Sequence, residues 1–232
     1  MNHRLLTLGL LAGISFTAAN AVVIDDFTTG AHGSIVTPAM PGPDVAYTSA
    51  TVLGGSRYTM LGLLGPAPKG NAILDVASPF DPGYFSVSTD SRAQSGAQLG
   101  YGLKPVMAPL PLNANFLGSP TLKMTFVFND LPMSVKLSAK ANSESTNTTL
   151  NSIAVIPSGI NLGSFPMGYV ASFDLSGYSA AELSDVDSLL FEFVAQPGSD
   201  YTLSRVEAVP EPASMLALGL GLAGVIARRR KA

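Results

Sequence analysis

Short runs in which apolar and polar residues alternate make up most of the chain between residues 22 and 209. A period of two residues is typical of half-buried β-strands, and clusters of Gly, Pro, Asn, Asp and Ser separate the runs. We therefore expect an all-β fold, an antiparallel β-sandwich without a long helix in this region. In the clearest run, TLKMTFVFND at 121–130, the inward positions are Leu122, Met124, Phe126 and Phe128, and Asn129 points outward.

Eleven strands are predicted from these runs. They are VVIDDFT (22–28), VAYTSATVL (45–53), SRYTML (56–61), NAILDVA (71–77), YFSVST (84–89), TLKMTFVFND (121–130), MSVKLSAK (133–140), TTLNSIAVI (148–156), YVASFDL (169–175), DSLLFEFVA (187–195) and DYTLSRVEA (200–208).

The stretches between the predicted strands are expected to form turns, loops and one short helix. The runs at 121–130 and 133–140 are joined so tightly that they predict an antiparallel hairpin. SAAELSDV at 179–186 predicts a single helical turn. Two Pro-containing stretches, 37–44 and 103–116, read as loops, and the polar stretch 141–152 reads as an exposed loop or an edge strand.

The N-terminus has the three parts of a secretory signal peptide. MNHR is positively charged, LLTLGLLAGISF is apolar, and Ala19-Asn20-Ala21 is a small-x-small cleavage site. We predict a signal helix over residues 1–21, cleaved after Ala21, followed by an ectodomain at 22–208. An uncleaved membrane anchor is the alternative.

Composition excludes several classes of function. Residues 22–209 hold eight Lys and Arg against fifteen Asp and Glu, so no basic stripe is available for a nucleic-acid partner. The chain has no cysteine, which excludes disulfides, thiol catalysis and thiolate metal sites. His32 is the one histidine after the signal peptide, so a His-rich metal site is excluded as well.

The last segment, VPEPASMLALGLGLAGVIARRRKA at 209–232, contains an apolar run at 213–227. As a helix this run is roughly 22 Å long, short of the ~30 Å hydrocarbon core of a bilayer. It predicts a single transmembrane helix of marginal length. The Arg-rich end is expected on the cytoplasmic side, which places the ectodomain outside the cytoplasmic membrane.

Pro-Glu-Pro, a short apolar helix and an Arg-rich end, in this order, resemble the PEP-CTERM sorting signal of exported bacterial proteins. The resemblance implies recognition by the membrane transpeptidase exosortase and a transient hold in the inner membrane. It assigns recognition to Pro210, Glu211 and Pro212, the membrane segment to 216–226, and the stop to Arg228, Arg229 and Arg230. It also implies a Gram-negative bacterium that makes exopolysaccharide or biofilm matrix. An ordinary single-pass anchor is the alternative.

A second resemblance concerns the ectodomain. The segment 183–206, LSDVDSLLFEFVAQPGSDYTLSRV, resembles the closing strands of jelly-roll, galactose-binding-like domains. VVIDDFTTG at 22–30 is similar to their opening strand. The resemblance implies a jelly-roll form of the sandwich.

Acidic residues are the candidates for chemistry, and they are few. Asp25 and Asp26 are neighbours on a strand, so they point to opposite faces and cannot act as a pair. Asp185 and Asp187 can share a face at a separation near that of glycosidase carboxylates, but they lie at a turn, where Asp commonly makes local hydrogen bonds. A Ca²⁺ site built from these four residues is the alternative to solvated surface acids. We expect no catalytic residue and no required cofactor or metal.

The sequence thus favours an exported surface or matrix protein that is not an enzyme and associates with extracellular polysaccharide. Carbohydrate-binding surfaces use aromatic platforms; the chain has no Trp, so its seven Tyr are the candidates. The alternatives are a secreted polysaccharide-modifying hydrolase, which needs a cleft joining His32 to Asp or Glu, and a purely structural matrix subunit without a ligand.

Overall fold

The computed structural model describes residues 21–65, 68–103, 112–143 and 146–210. Within them, two antiparallel sheets face each other across one apolar core, and the only helix in these residues is a single turn, α1 (Ala180–Leu183). The strands are β1 (Val22–Asp25), β2 (His32–Val36), β3 (Asp44–Ser49), β4 (Ser56–Leu63), β5 (Ala72–Ser78), β6 (Asp81–Thr89), β7 (Ser95–Tyr101), β8 (Thr121–Asn129), β9 (Met133–Ser143), β10 (Thr146–Ile156), β11 (Tyr169–Asp174), β12 (Val186–Val194) and β13 (Tyr201–Val209).

The larger sheet has the order β11-β8-β13-β6-β5-β2, and β1 pairs with the end of β13. The smaller sheet has the order β10-β9-β12-β7-β4-β3. From β6 to β13 the chain passes back and forth between the sheets in the manner of a jelly roll, and β2 to β5 extend both sheets at one side. The predicted antiparallel sandwich is confirmed.

Aromatic side chains from both sheets interdigitate in the core. The ring of Phe193 on β12 stacks on Phe85 of β6 at 5.5 Å and on Tyr201 of β13 at 5.3 Å between centroids. Phe173 on β11 meets Phe191 on β12 edge to face at 5.4 Å. All five side chains are buried, so the core is closed without a disulfide.

The predicted hairpin between β8 and β9 is wrong. β8 pairs with β13 and β11 in the larger sheet, whereas β9 pairs with β10 and β12 in the smaller sheet. The short connection therefore crosses from one sheet to the other. Alternation along two adjacent strands reports which side chains are buried, but it does not report which strand is the partner.

The predicted orientation of Phe128 and Asn129 is also wrong, because the end of β8 reverses its faces. Phe128 is 40% exposed, and Asn129 is fully buried. The pairing with β13 shows the cause: Thr202 opposes Phe128 and Leu203 opposes Phe126, so one residue of β8 is extra. Such an irregularity turns the following side chains to the other face.

Two strands, β2 (HGSIV) and β7 (SGAQLGY), were not predicted because their Gly and Ser residues weaken the alternating pattern. In β7, Gly100 packs closely against its neighbours: a Cβ there would lie 2.5 Å from Leu103 Cδ1, so the Leu103 side chain would have to shift. The predicted helical turn is confirmed as α1, with a capping box between Ser179 and Glu182. The stretch 141–152 was interpreted as either an exposed loop or an edge strand. The edge strand is confirmed, because β10 lies at the edge of the smaller sheet.

Candidate functional site

A row of outward-facing residues crosses five strands of the larger sheet. Phe128 on β8 opposes Thr202 on β13, which opposes Ser86 on β6; Ser86 opposes Asp75 on β5, which opposes Gly33 on β2. Neighbouring strands lie about 4.8 Å apart, so the row is about 19 Å long. Its length suits an extended ligand rather than a single small molecule.

Three cavities open along this row and share residues with one another. The first, of about 370 Å³, includes Phe128 and Thr202; the second, of about 340 Å³, includes Ser86; the third, of about 480 Å³, reaches β2. The residues shared by two cavities are Tyr84 for the first and second, and Asp75, Ser78 and Phe80 for the second and third. We call this continuous surface the groove.

Aromatic rings flank the polar row. Tyr84 is half-buried on β6, Phe128 is 40% exposed, and Phe80 is 98% exposed at the turn between β5 and β6. The end of β5 has a bulge at Ala77, whose φ is +49°, a conformation uncommon for a residue with a Cβ. The bulge changes the direction of the strand just before Ser78 and Phe80, which line the groove.

The polar groups of the groove retain capacity to bind hydroxyls. Ser86 Oγ donates to Thr202 Oγ1 at 3.2 Å, which leaves the Thr202 hydroxyl free to donate. Among the described residues, none makes a hydrogen bond or ion pair with the Asp75 carboxylate, and that carboxylate is exposed. The groove therefore combines free acceptors and donors with ring faces, and suits a ligand that carries both hydroxyls and apolar surfaces.

Asp25, proposed above as a Ca²⁺ ligand, instead lies in a buried ion pair. Its carboxylate accepts bonds from Arg57 Nε and Nη2, both at 2.6 Å, from the Tyr101 hydroxyl at 2.9 Å and from the Phe27 amide at 2.8 Å. Arg57 also donates to the carbonyls of Thr29 and Gly30. The carboxylate oxygens are thus occupied by protein donors, and the cluster ties the β1–β2 connection to β4 of the other sheet.

The other three proposed calcium ligands, Asp26, Asp185 and Asp187, do not form a metal-binding cluster with Asp25. Asp26 is exposed, and the hydrogen bond from the Thr28 hydroxyl lowers the pKa of its carboxyl. Asp187 is buried, and burial followed by the nearby charge of Asp185 raises the pKa of its carboxyl. In the described part of the chain, no three His, Cys, Asp or Glu residues are grouped closely enough to hold a metal ion.

His32 lines the third cavity together with Asp75, but the two side chains leave their strands on opposite faces. His32 opposes the buried Val76, whereas Asp75 opposes Gly33 on the outer face. Within the described residues, no hydrogen bond joins His32 to a carboxylate. The cleft that the hydrolase alternative requires is therefore not formed by this pair.

The seven tyrosines divide between the core and the surface. Tyr101 and Tyr201 are fully buried, and burial raises the pKa of both phenols well above the ordinary value. Burial, with Tyr47 and Glu192 nearby, raises the pKa of Tyr58 to about 12. Tyr84 is the one described tyrosine that lines the groove cavities.

The final strand leads directly into the Pro-Glu-Pro element. Ala208 is buried and opposes Leu122 on one side and Val22 on the other; Val209 opposes Thr121. A family model, the PEP-CTERM protein-sorting motif, matches residues 208–231. The chain carries a PEP-CTERM sorting motif. The motif implies export across the inner membrane of a bacterium, processing by exosortase and a surface or extracellular location.

Most predicted sorting and cleavage residues lie outside the described residues. They are Ala19, Glu211, Pro212, Arg228, Arg229 and Arg230, together with the signal helix and the transmembrane helix. Pro210 is described and follows β13 directly, half-buried, and Ala21 is exposed before β1. In the described part of the chain, none of the helices is long and apolar enough to cross a membrane.

No curated protein matches the sequence. Among solved structures, a family 11 carbohydrate-binding module from Clostridium thermocellum, in complex with a β-1,3-1,4-mixed-linked tetrasaccharide, is 9% identical with a TM-score of 0.36, over 84% of this chain and 98% of that one. An exo-β-agarase is 11% identical with a TM-score of 0.37, over 82% of this chain and 25% of that one. Likenesses this distant assign neither a ligand nor a binding site to this chain.

Sequence reasoning did not single out Asp75, Phe80 or Thr202. A signal for Phe80 was present, since SPFDPG (78–83) places an aromatic residue between turn formers, where a large apolar side chain cannot be buried easily. Asp75 and Thr202 had no such signal, because they become neighbours of Ser86 only through strand pairing.

Proposed function

We propose that this chain is an exported protein of the bacterial cell surface or extracellular matrix, processed by exosortase, that binds an extended polysaccharide in the groove without catalysing a reaction on it. The observation that carries the proposal is the groove itself: a polar row about 19 Å long, crossing five strands and flanked by exposed aromatic rings. We further propose that the host is Gram-negative and that the polysaccharide belongs to its own exopolysaccharide or biofilm matrix.

The chemistry of the groove matches that of a sugar chain. A pyranose ring has apolar C–H faces, which stack on aromatic rings, and peripheral hydroxyls, which both donate and accept hydrogen bonds. Tyr84 and Phe80 contribute aromatic rings to the lining of the groove, and Asp75, Ser86 and Thr202 contribute polar groups. Exposed aromatic residues of this kind are costly for solubility and mark interaction sites when they are contiguous.

The hydrolase alternative has less support. Glycoside hydrolysis commonly requires two carboxyl groups on either side of the scissile bond. Of the described side chains that line the three cavities, Asp75 is the only carboxylate. A single carboxylate is sufficient to accept hydrogen bonds from a bound sugar, whereas hydrolysis commonly requires a second carboxyl group.

The binding half is tested with Tyr84→Ala and Phe80→Ala in affinity electrophoresis against a panel of polysaccharides. We expect Tyr84→Ala to lose at least tenfold in affinity, about 1.4 kcal/mol, because a central aromatic residue commonly dominates an interface. Tyr47→Ala is the matched control, since Tyr47 lies on the smaller sheet. A wild-type protein retarded by none of the polymers would favour the purely structural matrix subunit.

The sorting half is tested by deleting residues 210–232 and following processing and location in the native host. β13 ends at Val209, so the sandwich should fold as before. We expect the truncated protein to be exported but no longer processed or retained as the wild type is. Unchanged processing and location would contradict the sorting assignment, and Arg205→Gln serves as a control that leaves the tail intact.

A further inference from the structure

Asp75 lies in the groove with an exposed carboxylate that makes no hydrogen bond or ion pair with the described residues. It is exposed, it lines two of the three cavities, and among the described residues it has no hydrogen-bond or ion-pair partner. The strand beside it has a glycine at the opposing position, and a Cβ at Gly33 would lie only 3.1 Å from Asp75 Oδ1. Because Gly33 has no side chain, the surface beside the Asp75 carboxylate stays open on the β2 side.

Among the described residues that line the groove, no lysine or arginine lies beside this carboxylate. The described residues that line the three cavities include neither lysine nor arginine, and His32 is the only other ionisable group besides the Tyr84 phenol. Two cations on the same face lie further along β8 and β13, beside Glu207. Arg205 pairs with the Glu207 carboxylate at 2.9 Å, and Lys123 lies opposite Glu207 in the strand register.

The charge of the whole ectodomain has the same sign. Residues 22–209 hold fifteen Asp and Glu against eight Lys and Arg. A long polyanion that approached the groove would meet the Asp75 carboxylate at short range and a negative surface at long range, since exposed charges act over about a Debye length of 8 Å in physiological salt. A neutral polymer would meet neither penalty.

We infer that the groove selects uncharged polysaccharides and that Asp75 is its specificity-determining residue. The inference rests on the proposed function. The carboxylate accepts hydrogen bonds from sugar hydroxyls, which are stronger than those to a neutral acceptor. It disfavours uronate carboxylates and sulfate esters because like charges at close range repel, so one side chain supplies both attraction to one class of polymer and rejection of the other.

The test compares the purified full-length protein with Asp75→Asn. The probes are three neutral polymers (β-glucan, xylan and agarose) and two polyuronates (alginate and pectate), measured by affinity electrophoresis at low and at physiological salt. Asn retains the shape and an acceptor oxygen but removes the charge. Asp44→Asn is the matched control, since Asp44 is exposed on the smaller sheet and loses the same charge.

We expect the wild type to bind at least one neutral polymer and to be unaffected by the polyuronates. Asp75→Asn should lose several-fold in affinity for the neutral polymer and gain at least tenfold for a polyuronate, with the gain larger at low salt. Asp44→Asn should behave as the wild type. Circular dichroism establishes that each variant is folded.

The outcomes separate the two proposals. Wild-type binding to polyuronates, or an Asp75→Asn variant without any gain for them, overturns the inference. If Tyr84→Ala still lowers the affinity at least tenfold in that case, the proposed polysaccharide-binding groove stands. A wild type that binds none of the five polymers overturns both proposals.

Discussion

At the scale of single residues, the ion pair between Asp25 and Arg57 is fully buried, whereas the other two ion pairs among the described residues are partly exposed. Alternation identified the inward positions of β9, from Met133 to Ala139, and all are buried. For Asp25, the sequence analysis considered a solvated surface acid or a Ca²⁺ ligand, and not a buried ion pair. Its partner Arg57 is 32 residues away in the sequence, and no local sequence pattern predicts an ion pair over such a separation.

The Asp25–Arg57 pair allows a first prediction. Arg57→Met leaves the Asp25 carboxylate buried and uncompensated, so we expect a loss of about 3–5 kcal/mol in the free energy of unfolding, measured by urea denaturation. Arg205→Met is the control, because its pair with Glu207 is exposed and contributes at most about 1 kcal/mol. The double variant Asp25→Asn/Arg57→Met should be more stable than Arg57→Met. Equal losses for both arginine variants would contradict the role of the buried pair.

The buried tyrosines allow a second prediction, on alkaline pH. Burial raises the pKa of Tyr101 and Tyr201 well above 10.0 in the folded protein, so above about pH 10 the unfolded chain releases protons that the folded chain keeps. Their contribution to stability is therefore complete below about pH 10 and is lost as pH rises further. We expect the free energy of unfolding to fall from about pH 10 upwards, and the decline to be smaller in Tyr201→Phe. A decline of the same size in that variant would contradict this origin.

At the scale of elements, the strands were predictable and their partners were not. All eleven predicted runs contain a strand, because a half-buried strand imposes its period locally. The predicted β8–β9 hairpin is wrong because the connection crosses between the sheets, and Asn129 lies at this crossing. Its Nδ2 donates to the carbonyls of Leu131 and Pro157, both at 2.7 Å, and its backbone pairs with Ile160.

A third prediction tests this crossing. Asn129→Ala removes the donors of two carbonyl groups at the point where the chain changes sheets, and we expect a loss of about 2–3 kcal/mol in the free energy of unfolding. Asn151→Ala on the exposed face of β10 should change it by no more than about 0.5 kcal/mol. Chemical denaturation measures both. Similar effects of the two substitutions would show that Asn129 does not hold the crossing.

At the scale of the whole molecule, the sorting motif could be predicted from the sequence, whereas the groove became visible only in the structure. The sorting motif was readable because its recognition depends on a contiguous stretch of sequence, which the match at residues 208–231 bears out. The groove was not readable, because its central residues come from β2, β5, β6, β8 and β13 and meet only through long-range pairing. His32, the one histidine considered for catalysis, lies at the end of this surface without a carboxylate partner among the described residues.

The sorting motif begins within β13, the last strand of the sandwich. β13 pairs with β8 along one edge and with β6 and then β1 along the other, so it is central to the larger sheet. Its last buried residue, Ala208, is also the first residue of the sorting motif. The strand and the sorting motif therefore share Ala208 and Val209.

The central claim is that a neutral polysaccharide binds in the groove. The most direct test is an NMR titration of the protein with a neutral oligosaccharide from the polymer that retards it, with amide shifts followed residue by residue. The account predicts shifts concentrated on β5, β6 and β13 around Asp75, Tyr84 and Thr202, and absent from the outer face of the smaller sheet. Shifts centred on Tyr47 and β4, or no shifts at saturating sugar, would contradict it.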